Sequence, residues 1–515
     1  MKKIKVACIL SAVLITFTTL AEGAAGNALV NPGMEFEGIL LGSDGTPLSG
    51  TFNLTFRIYP QEIGGEPLWE ESHQLRVSDA GRFSVRLGTQ FADGRHAYLF
   101  TGGSRSLDRM DGFWVGISIG NEGEQAPRFR LDSQQPPTQP VPANLFDMMV
   151  IDMPDDFPIV PVGALANGTG TQFPYLEQQQ GVYQWTPLDN YVNSAASFGI
   201  GVYYLNMYVP PWAAADPSTC FTAPNTNQQA CTSMVSNIQY WDDFVTALAT
   251  RYKGQISMYE LWNEPDSTDF TGTVSDMVTL TQDEYSIIHS IDPSALIASP
   301  PYVKTSNLDE YWSSGGVTSV NVVAMHGYPP TGSNDQPEGI GGGRIAAIQA
   351  AMLKYGISAP IWDTESSWGA AANAIKDPNL QAAYVARAYI LHWDYDVLRY
   401  YWYAWDSKIG DGTLWNPLVG ILEPGIAYQE VQNWLVGSTM TAPCSLNGGT
   451  QYNAVYTCTL TLAGGKPAMT VWNTNGNSSF IAPSTYTEYL DLFGNVTTIP
   501  SNHTITIGHL PLLLE

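Results

Sequence analysis

Residues 258–266 read MYELWNEPD. A strand-forming run, ISMYELW, carries a Glu to its tip, and Pro265 then stops the strand. Seven other short apolar runs lie in the same region: FDMMVI, IVPVGAL, GVYYLNMYV, ALIASPP, VNVVAMHGY, PIWDTE and LRYYWYAW. Helix-like segments separate most of them, among them PLDNYVNSAASFG, YWDDFVTALATRYKG, QDEYSIIHSID and LQAAYVARAYILHW. Eight strands alternating with helices across residues 144–437 predict an α/β fold, the (β/α)8 TIM barrel. A doubly wound open sheet is the competing reading. No G-x-G-x-x-G loop follows the first strand to support it.

The flanks read differently. Residues 27–133 hold GTFNLTFRIYP and GRFSVRLG, which alternate apolar and polar residues at period 2, as in a small N-terminal β domain. QQPPTQPVP then marks a Pro-rich linker over 134–143. Period 2 returns after the barrel in TVWNT, YTEYLDLFGNV and HTITIG, which predicts a C-terminal β-sandwich domain over 438–515.

Composition narrows the function. The chain has 515 residues, enough for two or three domains. Its net charge of −26 excludes nucleic acid as a partner, because phosphate binding needs clustered Lys and Arg. Residues 1–26 join a basic start (Lys2, Lys3, Lys5) to an apolar stretch and then small residues. That order predicts a signal peptide, and its 15-residue apolar stretch, Val6–Leu20, is short for a membrane span. The expected location is secreted or periplasmic, with no membrane span once the signal is removed. Export permits disulfides. Beyond Cys8 in the signal, four Cys remain as two local pairs, and proximity predicts Cys220–Cys231 and Cys444–Cys458. No Cys-x-x-Cys occurs and the seven His are scattered, so no metal site is expected.

Barrel active sites lie at the C-terminal ends of the strands, so acidic residues at those ends are the candidates. Glu264 ends the fourth run and Glu365, in PIWDTESSWG, ends the seventh. Strands four and seven stand on roughly opposite sides of an eight-strand ring, so these tips face each other. Two facing carboxylates suit glycosidic cleavage, one protonating the leaving oxygen and the other attacking the anomeric carbon.

ELWNEP at the end of strand four, with a Glu at the end of strand seven, resembles the clan A, or 4/7, retaining glycoside hydrolases. GVYQWTPLDNYVNSAASFGIGVYYLNMYVPPWAA is similar to the strand-three region of family 39. The resemblance covers about residues 160–436. It implies that Glu264 is the acid/base, Glu365 the nucleophile and Asn263 a partner of the sugar 2-hydroxyl. It also implies that His326 and Tyr328 line the site, and that Trp402 or Trp405 forms the sugar floor. The substrate would be a poly- or oligosaccharide, and no cofactor would be needed. One departure stands out. Clan members commonly carry an Arg near the end of strand two, where this chain reads VGALANGTG, and no Arg or Lys occurs from 131 to 250. A catalytically inactive carbohydrate-binding homologue is therefore the alternative.

Each candidate has a plainer reading. Glu260 reads as a buried structural carboxylate, and His326 also fits a satisfied core histidine. Trp402 and Trp405 are three apart, so on a strand they face opposite ways and one is expected to be packing. Trp212, in PPWAA, fits a subsite wall or a loop anchor. Asp363 shares the strand parity of Glu365 and reads as a hydrogen-bonder inside the barrel. GIGGGR at 339–344 reads as a loop before a helix, not a phosphate cradle.

Overall fold

The computed structural model describes residues 34–40, 46–59, 64–67, 69–79, 81–87, 113–120, 123–124, 128–131, 139–149, 158–166, 170–223, 227–267, 269–328, 336–368, 375–397, 399–406, 412–450 and 453–515. The expected signal peptide and most of the linker lie outside these. Contacts group the chain into two units, residues 1–135 with 341–358, and residues 136–340 with 359–515.

In the first unit, strands Trp69–Val77, Gly50–Tyr59, Phe113–Ile119 and Phe129–Leu131 lie side by side in that order, all antiparallel. Met34–Ile39 pairs with Arg82–Leu87. The period-2 pattern does the folding. Leu54, Phe56 and Ile58 point inward and are fully buried with Phe36, Val115 and Ile117, while Asn53, Thr55 and Arg57 take the other face. Each such buried side chain stabilises by about 1.5–3 kcal/mol. Helix Ala346–Tyr355 also belongs to this unit.

The second unit is built on an eight-stranded parallel sheet. We number its strands β1 (Phe146–Met149), β2 (Ala164–Ala166), β3 (Gly201–Asn206), β4 (Ile256–Leu261), β5 (Leu296–Ala298), β6 (Val323–Met325), β7 (Ile361–Ser366) and β8 (Tyr400–Trp402). Neighbours in sequence are neighbours in space, and β8 returns to pair with β1. The remaining gap, between β5 and β6, is bridged by Ala298 and Val322 with the bonds Ser299 N–H to Val322 O and Val322 N–H to Ile297 O. The strands therefore form a ring.

Helices α1 (Thr186–Ser197), α2 (Ile238–Arg251), α3 (Val274–Ile291) and α4 (Thr305–Ser313) follow β2, β3, β4 and β5. Helix α5 (Pro378–Asp394) follows β7, and α6 (Glu423–Leu435) follows β8. Among the described residues no helix follows β1. Local signals set the starts. Thr273 and Asp276 form a reciprocal capping box on α3, and Asp377 caps α5 ahead of Pro378.

After α6 the chain forms a six-stranded antiparallel sheet and a separate pair, Ser478–Ile481 with Thr504–Ile507. Cys444–Cys458 staples its first two strands, Thr439–Thr450 and Asn453–Thr461, and Cys220–Cys231 closes a hairpin after β3. Both expected pairings are present. The β region leans on α5. Cys444 N–H donates to Asp394, and the Trp472 indole donates to Glu338, which also forms a fully buried ion pair with Arg387 of α5.

Candidate active site

β4 ends at Leu261, and the chain then turns sharply. Trp262 and Glu264 both take left-handed φ values, 63° and 38°. Such values are rare for non-glycine residues and survive only where surroundings impose them. Here they do. Trp262 N–H donates to Asn206 O at the end of β3, and its buried indole donates to Asp269 O at 2.6 Å. The Asn263 amide donates to the Asp269 carboxylate at 3.1 Å. The loop thus holds Glu264 half-buried at the mouth of the ring.

Opposite stand the tips of β6 and β7. The Tyr328 hydroxyl donates to Glu365 Oε1 at 3.0 Å, and His326 Nδ1 lies 2.8 Å from Glu264 Oε1. Donor atoms of Glu264, His326 and Glu365 all fall within 4.8 Å of one another. Among the described residues this is the one set with metal-binding spacing.

Electrostatics follow from burial and crowding. Burial raises the Glu365 carboxyl above the ordinary carboxylate value, and Glu264 and Asp363 add to this. His326 and the Tyr328 hydroxyl pull it back. Burial works against the charged form of His326, but Glu365, Glu264 and Glu260 outweigh it and push the imidazole up to about 9. At neutral pH His326 is a cation among carboxylates. Glu260 is fully buried, accepts from the Tyr203 hydroxyl at 2.7 Å, and is pushed by burial up to about 7. It is a structural carboxylate, as its sequence reading has it.

The aromatic floor is corrected. Trp402 and Trp405 are both fully buried, so neither offers a face to a sugar. The cause is strand alternation. Tyr401 points into the ring and meets Tyr203 edge-on at 5.0 Å. Its neighbour Trp402 therefore points out, among Trp368, Tyr384 and Tyr389, and its indole donates to Gly412 O at 2.6 Å. Trp405 stacks on Trp415. Tyr403, with the parity of Tyr401, is the half-exposed aromatic, and it lies close enough to Tyr328 to raise that hydroxyl. Sequence reasoning passed over it, although counting two on from an inward Tyr401 would have found it. Trp212 is half-buried, its indole donating to Glu177 O at 2.9 Å and its ring meeting Phe173 and Tyr240 edge-on.

Asp363 is also corrected. β8 pairs Tyr400 with Asp363 and Trp402 with Ser366, so Thr364 and Glu365 together face only Tyr401. This bulge breaks the alternation. Glu365 keeps its place at the mouth, while Asp363 turns outward to His392 of α5, at 2.8 Å.

The fold is similar to that of solved family 39 and family 30 glycoside hydrolases. A family 39 glycoside hydrolase from the gut symbiont Bacteroides cellulosilyticus WH2 matches with a TM-score of 0.56 at 16% identity, over 91% of this chain and 95% of its own. A family 39 β-xylosidase from Caulobacter crescentus matches at 0.50 and 13% identity, over 73% of this chain and 97% of its own. A family 30 subfamily 8 xylanase from Clostridium acetobutylicum matches at 0.50 and 14%, over 74% of this chain and 97% of its own. At such identities the likeness is one of fold. Residues 35–128 match a family described as a domain of unknown function, DUF8740. No curated protein matches the chain.

Proposed function

We propose that the chain is an exported retaining glycoside hydrolase, a (β/α)8 barrel with flanking β domains that acts on a poly- or oligosaccharide. The observation that carries this is the spacing of Glu264 and Glu365, whose nearest donor atoms lie within 4.8 Å across the mouth of the ring. Oxygens that near suit the closely set pair of a retaining enzyme, whose carboxyl groups stand about 5–5.5 Å apart, better than the wider pair that inversion uses.

In this reading Glu365 attacks the anomeric carbon and the sugar–oxygen bond breaks as Glu264 gives its proton to the leaving oxygen. Glu264, now ionised, takes a proton from water, whose oxygen attacks the same carbon and releases Glu365. His326 carries the positive charge that a strand-two Arg supplies elsewhere in the clan, and with Tyr328 it favours the ionised nucleophile. In this reading Asn263 and Tyr403 meet the sugar. Two disulfides fit an exported protein, and among the described residues no helix is long and apolar enough to cross a membrane.

Substitution of the two Glu residues tests the reading. Glu365→Ala is expected to lose all turnover. Glu264→Ala is expected to keep the first step on activated aryl glycosides and to regain rate with azide, giving a glycosyl azide of retained configuration. Azide with Glu365→Ala is expected to give the inverted product. A wild type that binds oligosaccharides yet turns over nothing in a broad screen would instead establish an inactive carbohydrate-binding homologue, the reading favoured by the missing Arg.

A further inference from the structure

The bulge in β7 creates a problem that the structure solves with one side chain. Inserting an extra residue opposite Tyr401 takes the Glu365 N–H out of the regular ladder. A buried N–H without a partner costs about 1–3 kcal/mol, and here it belongs to the proposed nucleophile. Asp363 accepts it. Asp363 Oδ1 receives the Glu365 N–H at 3.3 Å and the Gly327 N–H at 3.1 Å. Its Oδ2 receives the Ser366 hydroxyl at 2.6 Å and lies 2.8 Å from His392 Nε2. The side chain is fully buried, and its contacts include two backbone N–H groups and a hydroxyl.

Those contacts span three elements. Gly327 stands between His326 and Tyr328, just beyond β6. Glu365 and Ser366 belong to β7, and His392 belongs to α5. The His392 ring is itself fixed, with Nδ1 bonded to Ala388 O at 2.7 Å and its face stacked on Tyr400 at 4.0 Å. There is no slack between the two strand tips. A Cβ on Gly327 would sit 2.1 Å from Asp363 Oδ2.

We propose that Asp363, held by His392, is the positioning residue that pins the β7 bulge and so fixes Glu365 against Tyr328 and His326. It touches no substrate. Its role in catalysis rests on the glycosidase reading, but the pin itself does not. A bulge re-aims a side chain only if it cannot slip back into register, and a one-residue slip would turn Glu365 out of the mouth.

The test has two arms. Amide hydrogen exchange on folded His392→Phe and Asp363→Asn reads the pin without any turnover. The Phe ring keeps the stack on Tyr400 and removes the polar contact to Asp363. In both variants the Glu365 and Gly327 amides are expected to exchange at least tenfold faster, with β1 to β4 unchanged. Wild-type protection at those two amides in either variant overturns the pin.

The second arm is the kcat and pH profile of the same proteins. Glu365 is faced by Glu264 and Glu260 from β4, His326 and Tyr328 from the β6 tip, Tyr203 from β3 and Asp363 from its own strand. Asp363 is a carboxylate that raises Glu365, so Asp363→Asn is expected to lower kcat at least tenfold while its acid limb moves to lower pH. His392→Phe is expected to lose kcat with KM within twofold, and His392→Gln, which keeps a polar group against Asp363, to recover most of it. A kcat loss in Asp363→Asn without the downward shift, or a loss carried only in KM, overturns the positioning role. A wild type with no turnover defeats the glycosidase reading, and exchange still decides the pin.

Discussion

His326 concentrates the electrostatics of the site in one ring. It is 1% exposed and faces Glu260, Glu264 and Glu365, which hold its pKa at about 9 against burial. In return it lowers Glu365. Replacing it by Gln removes the cation and keeps a donor. We expect kcat/KM to fall about 100-fold, the scale of losing one preorganised electrostatic contact. The direction of the pH shift is the sharper readout. Without the imidazolium, Glu365 ionises at higher pH, so the acid limb of kcat/KM moves up. The loss of activity expected of wild type as pH rises through about 9 is expected to disappear. A profile that only drops, with both limbs in place, would show that His326 acts by shape and not by charge.

At the scale of elements, β8 and the loop behind it carry the mouth-facing Tyr403. Gly412, at φ 58°, packs so closely that a Cβ would fall 1.8 Å from Tyr403 O, and its own carbonyl receives the Trp402 indole. Gly412→Ala is therefore expected to cost about 2 kcal/mol or more in denaturant unfolding and to depress activity by moving Tyr403. An unfolding midpoint within error of wild type would remove that role from the loop. This element also marks the limit of what sequence alone resolved. Runs of apolar residues revealed all eight strands, and Glu264 and Glu365 stand at the ends of their runs, the first stopped by Pro265. Proximity found both disulfides. The failures have one origin. Period-2 counting needs to know which residue starts inward and where the count breaks. LRYYWYAW is rich in aromatics, so nothing in it marks Tyr401 as the inward residue, and the floor is sought in Trp402 or Trp405 instead of Tyr403. The bulge at Thr364–Glu365 shifts the count by one, which sent Asp363 into the ring on paper and to α5 in fact.

Across the whole molecule the carboxyl groups decide how stability depends on pH. The net charge is −26, and several carboxyls are buried where ionisation is costly. Burial pushes Glu284 of α3, bonded to the Asn206 amide at 3.0 Å, up to about 8. It pushes Glu177 and Glu260 up to about 7. All three are raised above their unfolded value, so the stability they contribute is fully present below about 4.5. It is lost as pH rises through 7 to 8. His326 has the same sign and its share is lost later, through about 9. A few carboxylates oppose this at the acid end. Asp189, bonded to Arg251, and Asp292, bonded to Ser294 and Gly254, are held low, so their share is lost only as pH falls below the ordinary carboxylate range. Self-repulsion of a chain this acidic also grows with pH. The terms add to a maximum near pH 5 and a decline toward alkaline pH. Thermal melts of the mature chain are expected to peak there and to drop by about 5 °C or more by pH 8.5. Glu284→Gln keeps the bond to Asn206 and cannot ionise, so its melting curve should flatten between pH 6 and 8.5 and cross above wild type at the alkaline end. A wild-type melting temperature that rises across that interval, or a Glu284→Gln slope equal to wild type, would show that these buried carboxyls are ionised at little cost.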